Sequence, residues 1–284
     1  MKTFKYLFQS IIIYFFFIIG KAFGINYSRK IFAFIFQNLA PFFKSKKIIQ
    51  KNLDIFDNKI NDEEKNKIIS SMWRNYGLTF IEYIFLNHFR NSDSHIEIVG
   101  EENLKNVLEK NKTAIFVSGH FANYELMSME LRRANIKLAT IYRPLNNYFL
   151  NPFMEYLRKR FVCRNQIKKG IKGVREAIEY LKKGFSIALM IDQRVSEGEK
   201  INFFGKPALT TTLPAQLALK YDLSICPVHI ERTSENNFII RFLNEIKASD
   251  FKGKIDVTEK LNQVLEQMIS MKPDQWIWTH NRWK

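Results

Sequence analysis

Cysteine, proline and glycine are scarce in this sequence, and acidic residues are few relative to basic ones. The 284 residues include two cysteines, seven prolines and eleven glycines. No stretch rich in proline, glycine or serine divides the chain, and no internal repeat is visible. We therefore expect one main domain. Hydrophobic residues make up 46% of the chain, which supports a sizeable core and excludes global disorder.

The two cysteines indicate what kinds of site are absent. Cys163 and Cys226 lie in neither a C-x-x-C motif nor the cysteine–histidine spacing of a zinc site. We therefore predict neither a disulfide framework nor a zinc site. We also expect no metal ligands and no bound cofactor. Each cysteine is predicted to be a small buried side chain. Such usage fits a reducing compartment.

The charge balance predicts an anionic partner. The chain has 44 lysines and arginines against 28 aspartates and glutamates, a formal net charge of +16. Nucleic acid, an anionic bilayer surface and an acidic protein or lipid all fit that charge, and so does a lysine-rich surface with no specific partner. Zinc-finger spacing, RNP-type aromatic motifs and a basic heptad region are missing from the sequence. A membrane-bound nucleic-acid-binding protein is therefore the disfavoured alternative, and no nucleic acid partner is expected.

The first fifty residues contain the longest apolar stretch. The run from Tyr6 to Gly20 has no charge, and as a helix it would cover about 22 Å against a bilayer core of about 30 Å. A cleaved signal peptide, a short anchor and a buried helix all fit this length. The stretch lacks an A-x-A-like cleavage site, and a second apolar region ends at Phe43 beside Lys44, Lys46 and Lys47. These features favour a retained anchor at a membrane surface.

Beyond the anchor, helical and strand-like patterns alternate. The predicted strands are apolar runs at 113–117, 137–142, 186–191, 225–231 and 238–242, and the predicted helices are 62–87, a helix from 123, 151–161, 171–183, 213–221 and 257–271. Such alternation favours an α/β fold with a mixed sheet flanked by helices, preceded by a membrane-anchoring helix. We assign residues 1–50 to the anchor and its amphipathic segment, and residues 51–284 to the folded domain.

Three polar residues follow predicted strands. His120, Arg143 and Asp192 each come just after a strand, where functional loops gather in α/β sheets. Glu125 follows His120 by five residues and is predicted to lie one turn inside the next helix. From there its carboxylate would accept a hydrogen bond from one ring nitrogen and leave the other as a general base. The spacing alone also fits a turn histidine followed by a glutamate at a helix N-terminus.

Further polar and aromatic residues complete the predicted site. Arg143 carries a permanent charge and suits phosphate or carboxylate binding, or else a surface ion pair. Asp192 is predicted to position Arg143, Arg194 or a substrate, or to cap its strand. Phe203, Phe204 and Gly205, which we call the aromatic turn, either shape an acyl or lipid pocket or pack on the core. The predicted substrate-binding residues are Arg143, Asp192, Gln193, Arg194, Phe203, Phe204 and Gly205.

Five segments occur in a characteristic order. They are His120-Phe121-Ala122-Asn123-Tyr124-Glu125, Ile141-Tyr142-Arg143-Pro144, Asp192-Gln193, Phe203-Phe204-Gly205-Lys206-Pro207-Ala208 and Trp278-Thr279-His280-Asn281-Arg282-Trp283. Together they resemble the late acyltransferases of lipid A biosynthesis, within the wider lysophospholipid acyltransferase group. The resemblance covers nearly the whole chain, including the N-terminal apolar segment.

This resemblance implies transfer of a fatty acyl group from a thioester to a hydroxyl of a lipid A precursor. It implies acyl–acyl carrier protein as the donor in preference to acyl-CoA, with the acyl carrier protein, a membrane glycolipid and the membrane surface as partners. His120 would be the base and Glu125 its partner in the family's H-x4-D/E motif. The family commonly has H-x-G-N-W-E, so Ala122 and Tyr124 depart from it. The resemblance also implies the inner membrane, and the cysteine usage favours its cytoplasmic face.

Other functions are compatible with some of these sequence features. An acyltransferase for a lysophospholipid or an aminolipid would use the same His120–Glu125 pair with another acceptor pocket. A serine hydrolase is disfavoured because G-x-S-x-G is absent. A non-catalytic membrane adaptor would leave the polar residues at the strand ends without a purpose.

Overall fold

The chain forms an α/β fold behind a long N-terminal helix. The computed structural model describes residues 2–42, 46–111, 113–234 and 236–284. Within these ranges an eight-stranded mixed sheet is flanked by helices, which confirms the predicted fold class. Phe43, at the end of the second predicted apolar region, and Lys44 beside it lie outside the described residues.

The elements are numbered in chain order. The helices are α1 Lys2–Leu39, α2 Lys46–Phe56, α3 Asp62–Glu82, α4 Leu86–Asn91, α5 Glu101–Asn111, α6 Glu125–Arg133, α7 Asn151–Leu157, α8 Ile171–Lys182, α9 Leu213–Tyr221 and α10 Lys254–Met271. The strands are β1 Ile96–Val99, β2 Ile115–Ser118, β3 Leu138–Tyr142, β4 Asn165–Lys168, β5 Ser186–Met190, β6 Glu199–Phe203, β7 Lys206–Thr210, β8 Ser224–Arg232, β9 Phe238–Phe242 and β10 Ile246–Lys247.

The sheet is parallel through its middle. Its strand order is β1-β9-β8-β2-β5-β3-β4, with β10 beside β8. The neighbours from β8 to β4 in that order all pair in parallel, whereas β9 and β10 run antiparallel to β8. Strands β6 and β7 form a separate antiparallel hairpin. The carboxyl ends of β2, β3 and β5 therefore lie at one edge.

The central strands are buried on both faces. Ile115 and Val117 of β2 pack into one apolar cluster, and Phe116 between them packs into the other. In β5, Ile187 packs into the first of these clusters and Ala188 into the second. Strands covered by helices on both sides have continuous apolar sequences, which is why these runs were recognisable.

Helix α1 is a hairpin of two helical segments. Gly24 has φ 73° and ψ 169°, a conformation that glycine adopts far more readily than other residues, and the helix breaks there. The rings of Phe16 and Phe32, eight residues to either side, lie 5.6 Å apart. We call residues 2–39 the N-terminal hairpin. It packs on α3, where Gly77 lies so close to Phe32 that an added Cβ would be 2.2 Å from the Phe32 carbonyl oxygen.

The N-terminal hairpin is a candidate membrane anchor. Residues Lys2–Phe42 are long and apolar enough to cross a membrane, and only 17% of their most apolar window is buried. Large apolar side chains therefore face outward, among them Phe4, Phe8 and Phe15. The predicted boundary at residue 50 falls inside α2, which buries Ile49 and Leu53 in the core of the sheet. That boundary stays a prediction.

Candidate active site

Three strand ends bring the predicted polar residues to one edge of the sheet. His120 follows β2, Arg143 follows β3 and Asp192 follows β5. A cavity of about 980 Å³ opens at this edge, with His120 and Arg143 among its lining residues and Asp192 buried behind His120. This volume lies at the upper end of the range of small-molecule sites.

The ring of His120 is oriented by Asp192. Its Nδ1 lies 2.7 Å from Oδ1 of Asp192, and its backbone N–H donates to Oδ2 at 2.9 Å. Because a carboxylate accepts from Nδ1–H, the lone pair of the neutral ring is on Nε2. Nε2 has no hydrogen-bond partner within the described part of the chain, and the side chain is 21% exposed in the cavity wall. This is the arrangement of a general base and its orienting carboxylate.

Asp192 remains ionised although it is completely buried. Burial alone would raise its pKa, but the charge and hydrogen bonds of His120 and a hydrogen bond from Trp276 bring the pKa below its usual value. Nε1 of Trp276 donates to Oδ2 at 2.9 Å. No local sequence signal singles out Trp276, because its position in the site depends on how the C-terminal segment folds back on the sheet.

The predicted contact between Glu125 and His120 is wrong. Glu125 is the first residue of α6 and not a residue one turn inside it. Its Oε1 accepts hydrogen bonds from Nε of Arg158, at 2.7 Å, and from the hydroxyl of Tyr83. Glu125 still lines the same cavity as His120. The carboxylate that orients the histidine comes instead from the end of β5.

Glu125 belongs to a second polar group in the cavity wall. Nη2 of Arg158 donates to the hydroxyl of Tyr83 at 2.8 Å, and that hydroxyl lies 2.9 Å from the hydroxyl of Tyr124. Burial raises the pKa of both tyrosines, so they are neutral donors. Burial would lower the pKa of Arg158, but Glu125 and the tyrosines raise it, so the guanidinium is charged. The side chain of Arg158 also shares a hydrogen bond with Tyr124.

Arg158 lies where the helix changes form. Helix α7 ends at Leu157, and residues Arg158–Val162 continue as a π-helical turn. Such turns are rare and frequently occur at functional sites. A single helix over 151–161 was predicted, so neither this turn nor Arg158 was identified from the sequence.

One part of the cavity wall is apolar. Phe17 and Phe36 of the N-terminal hairpin contribute to it, together with Phe80 of α3 and with Leu150 and Met154 around the start of α7. The candidate membrane anchor therefore forms part of the wall of the cavity that contains His120.

Other residues of the cavity wall are cationic. Arg143, Lys169 and Arg194 line it, and the first two are exposed. The backbone N–H of Arg194 donates to Nε2 of His280 at 2.9 Å, and burial lowers the pKa of His280 so that its ring is a neutral acceptor. Gln193 also lines the cavity. Asp192 is predicted to position Arg143 or Arg194, but among the described residues its carboxylate accepts hydrogen bonds from His120 and Trp276 instead.

The sequence model of the bacterial lipid A biosynthesis acyltransferases matches residues 1–284. The chain belongs to this family and is an acyltransferase. It is similar to the lipid A biosynthesis palmitoleoyltransferase of Escherichia coli K12, with 25% identity over 253 residues that cover 86% of this chain and 80% of that protein. It is also similar to the lauroyltransferase of the same organism, with 22% identity over 84% of this chain and 78% of that protein.

Among solved structures, the acyltransferase aligns with the 1-acyl-sn-glycerophosphate acyltransferase of Thermotoga maritima. That alignment has a TM-score of 0.42 and 15% identity, and it covers 89% of this chain and 96% of the other.

The aromatic turn of this acyltransferase lies away from the cavity. Phe204 and Gly205 form the turn between β6 and β7, both with positive φ, as in the tight turns that favour hairpins. The Phe203 ring stacks on Trp283 at 5.4 Å inside the core. Phe203, Phe204 and Gly205 are not among the residues that line the described cavity. The structure agrees with the alternative of an aromatic turn packed on the core.

Both cysteines are buried and unpaired. Burial raises the pKa of the Cys226 thiol to about 12 and also raises that of Cys163. Both thiols are therefore protonated at neutral pH, which confirms their prediction as small buried side chains.

Proposed function

We propose that the protein transfers a fatty acyl group from acyl–acyl carrier protein to a hydroxyl of a lipid A precursor, with His120 as the general base. The observation that carries this proposal is the ring of His120, fixed by buried Asp192 at Nδ1 and facing a large, partly apolar cavity with Nε2. Membership of the lipid A acyltransferase family supports the acceptor class.

The proposed reaction proceeds in two steps. Nε2 of His120 accepts the proton of the acceptor hydroxyl as that oxygen attacks the thioester carbonyl, forming a tetrahedral oxyanion. The carbon–sulfur bond then breaks, the carbonyl forms again as an ester, and the departing thiolate takes the proton from His120. Asp192 remains ionised and stabilises the imidazolium between the two steps.

Glu125 and Arg158 have a supporting role in this proposal. Glu125 accepts from Nε of Arg158, which fixes the guanidinium in the cavity wall. A charged, preoriented donor of this kind stabilises a developing oxyanion far better than water does. We therefore assign the oxyanion interaction to Arg158 and the orientation of Arg158 to Glu125.

The two parts of the cavity wall suit the two substrates. The apolar wall formed by Phe17, Phe36 and Phe80 accommodates the acyl chain. The cationic wall formed by Arg143, Lys169 and Arg194 suits phosphate groups of the glycolipid, and basic side chains at its rim suit the acidic acyl carrier protein. We place the domain on the cytoplasmic face of the inner membrane, where a reducing compartment is consistent with two free cysteines.

Acyl transfer by the purified full-length protein tests this proposal. Labelled acyl–acyl carrier protein or acyl-CoA is supplied with an underacylated lipid A precursor, a lysophospholipid or an aminolipid, and the products are identified by mass spectrometry. We expect the lipid A precursor to be acylated, with acyl–acyl carrier protein as the better donor. His120→Ala should reduce the rate at least a hundredfold.

Two results would contradict specific parts of the proposal. Equal rates for the wild type and His120→Ala would rule out the proposed base. Acylation of the lysophospholipid alone would instead identify the alternative acceptor, with the same catalytic residues.

A further inference from the structure

A buried ion cluster lies beside the site and takes no part in the proposed chemistry. Glu82, at the end of α3, is fully buried and accepts hydrogen bonds from two arginines. Arg29 of the N-terminal hairpin donates from Nε at 2.8 Å, and Arg232 of β8 donates from both Nη atoms. Burial would raise the pKa of Glu82, but the two guanidinium charges bring it below its usual value. The carboxylate is therefore ionised and accepts several hydrogen bonds.

One oxygen of Glu82 also contacts the segment that carries His120. Nδ2 of Asn123, which is fully buried, donates to Oε2 of Glu82 at 3.0 Å. We call residues 119–124 the catalytic loop. Asn123 lies three residues after His120 in this loop, so Glu82 accepts from the loop and from the hairpin at the same time.

Neighbouring bonds fix the unusual backbone of the catalytic loop. Ala122 has φ 43°, in the left-handed region that alanine rarely adopts. Its carbonyl accepts from Oγ1 of Thr79, 2.8 Å away, and its N–H donates to the carbonyl of Gln275, 3.3 Å away. Thr79 and Gln275 are both bonded to Arg232, the partner of Glu82. Strained backbone of this kind persists only where its surroundings determine it.

The same cluster is also connected to Asp192, the residue that orients the His120 ring. The side chain of Gln275 and the backbone of Arg232 exchange two hydrogen bonds, each 2.7 Å long. The next residue, Trp276, donates to the carboxylate of Asp192. Glu82 is thus connected to the loop that carries His120 and, through Arg232 and Gln275, to the residue that positions Asp192.

We infer that Glu82 is a positioning residue that joins the docking of the N-terminal hairpin to the placement of His120. Arg29 is the connection to the hairpin and Asn123 the connection to the catalytic loop. When the hairpin is not seated on α3, Glu82 loses one of its partners and the loop loses part of its support. This inference rests on the proposed function, because it concerns the placement of the proposed base.

The test uses variants that leave the Glu82–Arg232 pair intact. Glu82→Gln would leave two buried arginines without their carboxylate and would destabilise the protein. Arg29→Met instead removes only the hairpin connection, and Asn123→Ala removes only the loop connection. Gln37→Ala is the matched control, because it removes another hairpin–α3 hydrogen bond, from Gln37 to Ser70 at 2.7 Å, that lies outside the cluster.

The full-length variants are assayed in vesicles for acyl transfer, with kcat and KM measured separately and melting temperatures recorded. We expect Arg29→Met and Asn123→Ala each to lower kcat about tenfold or more, because small misplacements of a reacting group are costly. KM for the acyl donor should stay within about twofold. Because the two changes interrupt one connection, the double variant should be no slower than the slower single variant. Arg29→Lys should restore part of the rate.

Two results would overturn the inference. One is a kcat for both single variants equal to that of Gln37→Ala. The other is a double variant whose losses multiply, which would mean that Arg29 and Asn123 act independently. Failure of the proposed function is distinguishable, since the wild type itself would then transfer no acyl group.

Discussion

The orientation of the His120 ring depends on one residue, Asp192, whose carboxylate accepts a hydrogen bond from Nδ1. In Asp192→Asn, an amide of similar shape replaces the carboxylate, and the charge that stabilises a protonated His120 is lost. The corresponding change in a serine protease triad lowers kcat by about 10⁴, so we expect a loss of about 10³–10⁴ here. Acyl transfer by the purified variant measures this loss, and its melting temperature shows whether the fold is preserved. A loss below about tenfold would mean that Asp192 does not orient the base.

Two residues show why the sequence identified His120 but not its partner. His120 and Asp192 lie 72 residues apart and meet only because β2 pairs with β5. A sequence places each at the end of a strand but does not give the order of the strands. Glu125 is close in sequence, yet the left-handed Ala122 turns the loop so that α6 begins at Glu125 and directs it toward Arg158.

His229 makes stability depend on pH. It is fully buried in β8 against Phe121, and burial lowers its pKa to about 4. Below the unfolded value of about 6.5 the unfolded chain binds a proton that the folded chain does not, so stability falls as the pH drops from about 6.5 to 4. The shift corresponds to roughly 3 kcal/mol at the acidic end. His95, whose pKa is also lowered to about 4 by burial, adds a similar contribution.

The measurement is the melting temperature of the wild type and of His229→Phe from pH 7 to pH 4. We expect the variant to lose markedly less stability on acidification. The remaining loss comes from other groups whose pKa is lowered in the folded protein, among them His95, His280 and Glu82. Identical pH dependence of the two proteins would exclude His229 as a source of the effect.

Among the elements, the contact between the N-terminal hairpin and α3 depends on one glycine. Alanine at Gly77 would favour the helix by about 1 kcal/mol in isolation, but its Cβ would lie 2.2 Å from the Phe32 carbonyl oxygen. The helices would have to separate, so we expect Gly77→Ala to lower the melting temperature by several degrees. Gly253→Ala, where an added Cβ contacts nothing within 4 Å, is the control. Because Gly253 is the N-cap of α10, where alanine is less favourable, we expect a small decrease in the melting temperature, less than that of Gly77→Ala. A Gly77→Ala variant as stable as this control would contradict the close packing.

Elements were predictable where burial makes the sequence apolar on both faces. Strands β2, β3 and β5 were recognised as short apolar runs, whereas β1 and β4 were not. β4 is the edge strand Asn165–Lys168 with one buried residue, and β1 at the other edge has none fully buried. β1 and β4 form because a neighbouring strand offers backbone hydrogen bonds to them. Local sequence does not reveal which strand will be the neighbour. The capping box of Asn61 and Glu64, in contrast, is a local signal and marks the start of α3 correctly.

At the scale of the whole molecule, the exposed apolar face of the N-terminal hairpin should determine membrane binding. Phe4, Phe8 and Phe15 are 80%, 64% and 59% exposed, and inserting such a side chain into a bilayer contributes about 1.5–3 kcal/mol. Replacing all three by serine should therefore weaken partition into neutral vesicles by at least about a thousandfold.

The matched control replaces three exposed apolar residues of the folded domain, Leu219, Ile255 and Met271, by serine. Co-sedimentation with vesicles of a zwitterionic lipid measures partition without the contribution of the +16 net charge. We expect the control to bind like the wild type and both variants to keep their melting temperature in detergent, because none of these side chains is buried.

Equal loss of binding in the two variants would show that the membrane contacts the domain as much as the hairpin. Unchanged binding in both would mean that another apolar surface anchors the protein. Loss confined to the hairpin variant places Phe17 and Phe36, and hence the apolar wall of the cavity, next to the membrane from which the lipid acceptor enters.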